Sequence, residues 1–285
     1  MTIKIAALLL MLTLTACAAT PVRQTWENRL RGDTIALLGE VHDNAEHHRL
    51  RLEILRRAFA AGWRPVIAME QFDRERQADI ERARRERPRD AQHVISLATQ
   101  SSGKTGGNWN WNFYRPFVEL ALEYEVPLIA ANLSSADTSR VVREGYTAVF
   151  DAQTLNALGL DQPIPPAVQT AQEREIELGH CNALPAKMVP VMARGQLARD
   201  AVMASIVNQR PNQGVVLLAG NGHVRRDIGV PHWLNAATRA RTLVIGFLEQ
   251  SRSSQLEPAF DAVVRTAAAE RVDPCIEFMQ RMKSR

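Results

Sequence analysis

Short runs of consecutive apolar residues alternate along the chain with segments whose apolar positions recur every three or four residues. The runs are "TIALL" (34–38), "PVIAME" (65–70), "VPLIAAN" (126–132), "GVVLLAGNGH" (214–223) and "TLVIGFL" (242–248). Each is apolar at successive positions over a strand's length, the signature of extended segments covered on both faces. The periodic segments between them predict a helix over 45–61, with Leu50, Ile54, Ala58 and Phe59 on one face, a charged helix from about Asp73 to Glu86, and another near Asp137 to Val149. This alternation predicts an α/β fold, a mostly parallel twisted sheet flanked by helices. Two stretches interrupt it. Residues 73–112 carry two helical segments with no strand between them, and residues 151–210 are Pro-rich at "DQPIPPA" and then helical from about Met188 to Val207. These insertions predict a smaller helical subdomain beside an α/β core of approximately 30–72, 113–150 and 211–250. The mixed charges of "RERQADIERARRERPRD" read as a solvated helix surface.

The N-terminus adds a different kind of segment. "MTIKIAALLLMLTLTAC" has one Lys and an apolar run from Ile5 to Leu14, too short to span a bilayer and of the length of a signal-peptide core. Its ending, Leu14-Thr15-Ala16-Cys17, resembles a bacterial lipobox. That resemblance implies removal of residues 1–16, a mature chain of 17–285, and a diacylglyceryl and palmitate anchor on Cys17. An ordinary secretory signal followed by a chance Cys is the plainer alternative. Ala18, where an Asp would stand in inner-membrane lipoproteins, points to an outer-membrane lipoprotein facing the periplasm. Export changes the reading of the other two cysteines, because an even pair in an oxidising compartment tends to bridge. Cys181 and Cys275 are therefore expected to form a disulfide, with two free thiols as the alternative.

Net charge is +4, and 31 of the 35 basic residues are Arg, an excess that suits carboxylate or phosphate partners. No basic stripe interleaved with aromatics occurs, so nucleic acid is not expected as a partner. The chemistry-bearing residues follow the strands. Glu40 and His42 come after the first, Glu70 ends the second, Asn132 ends the third, and Asn221 and His223 follow the fourth. In a parallel sheet all of these lie at one edge, where α/β proteins bind ligands. Each has a plainer reading: Gly-x-x-His recurs a third time at 229–232, Glu70 could cap a helix or pair with an Arg, and His47 and His48 suit packing in the next helix.

Together "LLGEVHDN", "AMEQFDR", "WNFYRPFVELALEYEVPLIAANLS", "HCNALP", "QLARDAVMA" and "LLAGNGHVRRDIGVP" resemble the ChaN family of bacterial lipoproteins, of the haem-binding uptake, Tiki superfamily. The resemblance implies haem bound in a pocket that a second protomer, in a homodimer, can complete, and a role in iron acquisition with an outer-membrane haem receptor as a possible partner. Without Cys-x-x-Cys-His, iron would need a Tyr, His or Met ligand. Tyr114, beside Trp109, Trp111 and Phe113 and after the Gly-rich stretch "SSGKTGG", is one candidate, with Arg115 near the propionates; His180 is a second. An aromatic knot anchoring a helix is the structural alternative for Trp111 and Phe113. The wider superfamily implies another activity, a metal-dependent hydrolase. In that reading His42, His223 and Glu70 or Glu40 hold zinc or manganese, which activates a water, while a metal-free variant uses His42 as the base. No Gly-x-Ser-x-Gly elbow is present.

Overall fold

The apolar runs do form strands. The computed structural model describes residues 25–100, 109–250 and 257–283; the leader with Cys17 and the Gly-rich stretch 101–108 lie outside them. Among the described residues, β1 (Ile35–Leu38), β2 (Val66–Asp73), β3 (Leu128–Asn132), β4 (Val215–Leu218), β5 (Thr242–Glu249) and β6 (Ala262–Thr266) make one sheet in the order β3-β2-β4-β1-β5-β6. Every pairing is parallel. β1 and β4 are buried at all four positions, which is why their sequences show no polar alternation. β6 was not foreseen. It is an edge strand whose side chains are mostly half-buried, and its five residues give too little apolar signal to stand out.

Alternate strand residues face two helical layers. Ala36, Leu38, Ile67, Met69, Val216 and Leu218 pack against α1 (Ala45–Ala60), α2 (Gln77–Glu86), α3 (Ala91–Thr99) and α4 (Trp111–Glu123). Ile35, Leu37, Ala68, Val215 and Leu217 face the other way, against Met203, Ala204 and Val207 of the long helix that ends the second insertion. On this second face lie α5 (Ser135–Glu144), α6 (Ala152–Leu158), α7 (Pro166–Gly179) and α8 (Met188–Asn208). They join through satellite clusters such as Val141, Leu158 and Ala201, and Ile176, Val189 and Ala193. The first insertion is thus part of the sheet's helical layer, and the second, with α5, builds the smaller helical unit. Three short helices, α9 (Asn221–Val224), α10 (Val230–Trp233) and α11 (Ala236–Ala240), connect β4 to β5, and α12 (Pro274–Lys283) ends the described chain.

The strand order positions the site. After β1 the chain skips one place to form β2, and only after β3 and the second insertion does β4 return to fill the gap between β2 and β1. The carboxyl ends of β1, β4 and β2 therefore stand side by side at the point where the order doubles back, and the turns leaving them share one crevice.

Candidate functional site

The turn after β1 is built to hold polar groups without loss of hydrogen bonds. A Cβ on Gly39 would lie 2.2 Å from Asn221 Oδ1 and 3.2 Å from Asn221 Cα, so glycine is what lets this turn touch the turn after β4. Asn44 caps α1, its side chain accepting from the Glu46 and His47 amides, while its Nδ2 donates to Glu249 at 2.9 Å and to the Ala267 carbonyl at 3.1 Å. His47 accepts the Val41 amide at Nδ1 (3.0 Å), which places its proton on Nε2, facing Thr266 Oγ1 at 2.8 Å. His48 donates Nε2–H to the His42 carbonyl at 3.0 Å. Burial pushes both imidazoles down to about 4, so they act as neutral struts.

Glu40 occupies the centre of this turn and is buried. Its Oε1 accepts Tyr114 O–H at 2.6 Å and His42 Nδ1–H at 2.9 Å; its Oε2 accepts from Arg51 Nη2, and Arg51 Nη1 donates to the Leu38 carbonyl at 3.1 Å. Burial alone would raise this carboxyl, but the Arg51 guanidinium and the His42 bond outweigh it and hold it below the usual range. His42 is bonded to Glu40 through Nδ1, half-exposed, with Trp109 edge-on at 4.9 Å. Desolvation opposes its protonation, yet the Glu40 bond and the charges of Glu70 and Glu40 raise it above its ordinary value.

Glu70 forms the second centre. Its Oε2 accepts the Gly220 amide at 2.8 Å and its Oε1 lies 3.4 Å from His223 Nε2. The other His223 nitrogen lies 2.6 Å from Asp200 of α8. Burial works against a charge on His223, but the two flanking carboxylates prevail and raise it to about 10. The two centres meet at Gly220, where a Cβ would fall 2.8 Å from His42 Cε1 and 3.8 Å from Glu70 Oε2. Glu40, His42, Glu70 and His223 thus share one rim. Asn132 is buried at the end of β3 with its Oδ1 unpartnered, away from the cavity lining described next.

A cavity of about 500 Å³ opens over this rim and runs to the end of α7. Its walls include Glu40, His42 and His223 on one side and Gly179, His180 and Pro274 on the other, so the strand-end motifs and "HCNALP" line one space. His180 donates Nδ1–H to the Ile176 carbonyl at 2.7 Å, which leaves Nε2 with its lone pair. The Cys181–Cys275 disulfide is formed and ties this turn to α12.

Two expectations need correction. Tyr114 is buried, donates to Glu40, and is held protonated by burial and that carboxylate; its oxygen does not face the cavity as an iron ligand would. Arg115 is exposed on α4 and pairs with Glu119 at 3.0 Å, apart from the cavity lining. Of the zinc or manganese set, His42, His223 and Glu70 stand on one rim, with His223 Nε2 3.4 Å from Glu70 Oε1 and Nδ1 2.6 Å from Asp200 Oδ1. Among the described residues no group of three or more His, Cys, Asp or Glu side chains is arranged to hold a metal ion.

Arg51 and Asp200 were missed. Both had a signal: each places a charge on an otherwise apolar helical stripe, Arg51 with Ile54, Leu55 and Ala58, and Asp200 with Leu197, Ala204 and Val207. Tyr114→Phe tests the corrected assignment. Losing a bond to a buried carboxylate should cost roughly 1.5–3 kcal/mol in urea unfolding and leave any bound haem's spectrum unmoved.

Comparison with known proteins agrees with this architecture. The family model for haem-binding uptake, Tiki superfamily, ChaN matches residues 26–234. A solved structure describing cofacial haem binding to ChaN of Campylobacter jejuni superposes with a TM-score of 0.57 at 19% identity, over 78% of this chain and 83% of that one. A mutant of the erythromycin esterase EreC in its open conformation gives 0.45 at 14% identity, over 89% and 81%. The RRSP effector domain of a Vibrio vulnificus toxin gives 0.43 at 13%, over 85% and 40%. No curated protein matches the chain. With the family model covering most of its length, the chain belongs to the ChaN family of the haem-binding uptake, Tiki superfamily.

Proposed function

We propose that this protein binds haem or a related iron porphyrin in the cavity between the strand edge and the end of α7, as a lipid-anchored protein of the cell envelope that serves iron acquisition. Membership of a haem-binding family supports the ligand, as does the relative from Campylobacter jejuni that binds haem cofacially. The observation that carries the reading is the cavity itself: about 500 Å³, within the range of small-molecule sites, with imidazoles on both of its sides. The N-terminal apolar run ending in Leu14-Thr15-Ala16-Cys17 supports the anchor, and an outer-membrane position facing the periplasm follows from Ala18. Exchange with an outer-membrane receptor, or with a second copy of the chain in a haem-bound homodimer, belongs to the same proposal.

One observation favours a second activity on the same rim. With Nδ1 held by Glu40 and the ring half-exposed, His42 presents Nε2 to the cavity as a general base for water, and the charged His223 stands behind as an electrostatic stabiliser.

Titration with ferric haem should give a saturable Soret band. Gly222→Trp should weaken it at least tenfold, because its side chain enters open space at the cavity wall; equal affinity in both proteins would remove the cavity as the site. Labelled palmitate should enter the wild type in cells and not Cys17→Ser, and an unlabelled wild type would end the anchor proposal. If the second reading holds, hydrolysis of activated esters vanishes in His42→Ala. Its rate should climb with pH through a value above about 6.5, since His42 is raised and a base must lose its proton first. A flat profile or an active His42→Ala would dismiss it.

A further inference from the structure

Two features of the cavity wall serve neither haem nor the His42 base. The first is Gln172 of α7. It is only 6% exposed, it lines the cavity, and its Oε1 has no hydrogen-bond partner among the described residues. By contrast the amide of Gln169, one turn earlier, donates to Glu173 at 2.6 Å. Gln172, Glu175, Ile176 and Gly179 recur every three or four residues, so one face of α7 is turned to the cavity. A buried acceptor without a donor is costly, and at a cavity wall a ligand can bring the donor.

The second feature is charge. The whole chain carries a net +4, yet the cavity reverses that sign. Arg225 is shared between Glu175 at 2.6 Å and Asp227 at 2.6 Å, and Arg271 between Asp43 at 2.8 Å and Glu249. His223 likewise stands between Asp200 and Glu70. Each of these cations meets two carboxylates, and Glu175, Asp200 and Glu249 are themselves on the wall. An anion entering here would have to displace a carboxylate from its partner. A cation meets carboxylates that already share theirs.

Resting on the His42 reading of the rim and independent of haem, we propose that the cavity takes small esters bearing a primary ammonium group, with the ammonium held by Gln172 and Glu175 of α7 and the acyl carbon presented to His42. A primary ammonium brings three donors and one charge in a compact group. It therefore answers both the neutral acceptor of Gln172 and the carboxylate one turn on. The apolar stem between the two ends has Ile176 and Leu248 to lie against. Hydrolysis consumes one water. His42 Nε2 takes its proton as the oxygen bonds to the acyl carbon; the acyl–oxygen bond then breaks and the proton passes to the departing oxygen, giving acid and alcohol.

The test uses the full chain and three p-nitrophenyl esters of one length: the 6-ammoniohexanoate, its neutral isostere the heptanoate, and the anionic pimelate monoester. At pH 7, kcat/KM should fall in that order, with about a tenfold first step, the worth of one charge-assisted hydrogen bond, carried by KM. Gln172→Leu and Glu175→Gln should each shrink the ratio of ammonium to neutral ester by roughly threefold or more. That ratio compares two substrates on one protein, so a smaller folded fraction leaves it unchanged. Calorimetric titration with hexylammonium chloride needs no catalysis. It should show saturable binding to the wild type, weaker in both variants, and weaker binding of hexanol. Equal kcat/KM for the ammonium and neutral esters, with no binding of hexylammonium, overturns the inference while the His42 reading stands. A preference that neither variant moves overturns the two docking residues. If neither ester is hydrolysed, or hydrolysis survives in His42→Ala, the His42 reading falls and the ester with it. Hexylammonium binding that weakens in both variants then still upholds the ammonium site, and its absence overturns that as well.

Discussion

Two carboxylates buried at the carboxyl ends of β1 and β2 set the terms for everything around them. Glu40 and Glu70 are almost without solvent contact, and an uncompensated buried charge costs several kcal/mol after relaxation. Insertion of β4 between their strands brings them to one rim, so each had to be answered separately. Glu40 is answered by Arg51, Tyr114 and His42, and Glu70 by the Gly220 amide and by His223. The ion pair of Glu40 with Arg51 reaches back to the Leu38 carbonyl, and it fixes the direction in which the chain leaves the sheet. Removing Arg51 would leave Glu40 Oε2 without its buried cation and only Tyr114 and His42 on Oε1, so the pair does much to hold the site's shape.

The cavity is consequently lopsided. Its strand-edge side is dense with charge and hydrogen bonds around Glu40, His42 and His223, while the side at α7 and α12 presents His180, its Nδ1–H bonded to the Ile176 carbonyl, beside Pro274. The first is held by a parallel sheet with helices on both faces, the second by a covalent bridge. A ligand with an apolar body and an electron-accepting centre is served by the second side, and a small polar group needing proton transfer by the first.

The sheet was legible because β1, β4 and most of β2 are apolar on both faces, so that composition alone marks them, and the four rim residues were legible because each follows such a strand. β6 lay beyond reach, an edge strand with a half-buried pattern and an apolar run of only Ala262, Val263 and Val264. Tyr114 misled because an aromatic beside Trp109 and Trp111 reads equally well as a ligand or as a donor to a buried carboxylate, and the deciding partner, Glu40, lies 74 residues away. His180 gave no local clue to its tautomer, since the bond that fixes it forms only when α7 closes its last turn. The charges of Arg51 and Asp200 were visible as breaks in apolar helical stripes, a signal that a search centred on strand ends passes over.

Charge balance along the cavity limits how an anionic porphyrin could be held there. Arg225 is already paired with Glu175 and Asp227, and Arg271 with Asp43 and Glu249. These two guanidiniums on the cavity wall would have to give up existing partners to meet a propionate, and such an exchange of one carboxylate for another gains little.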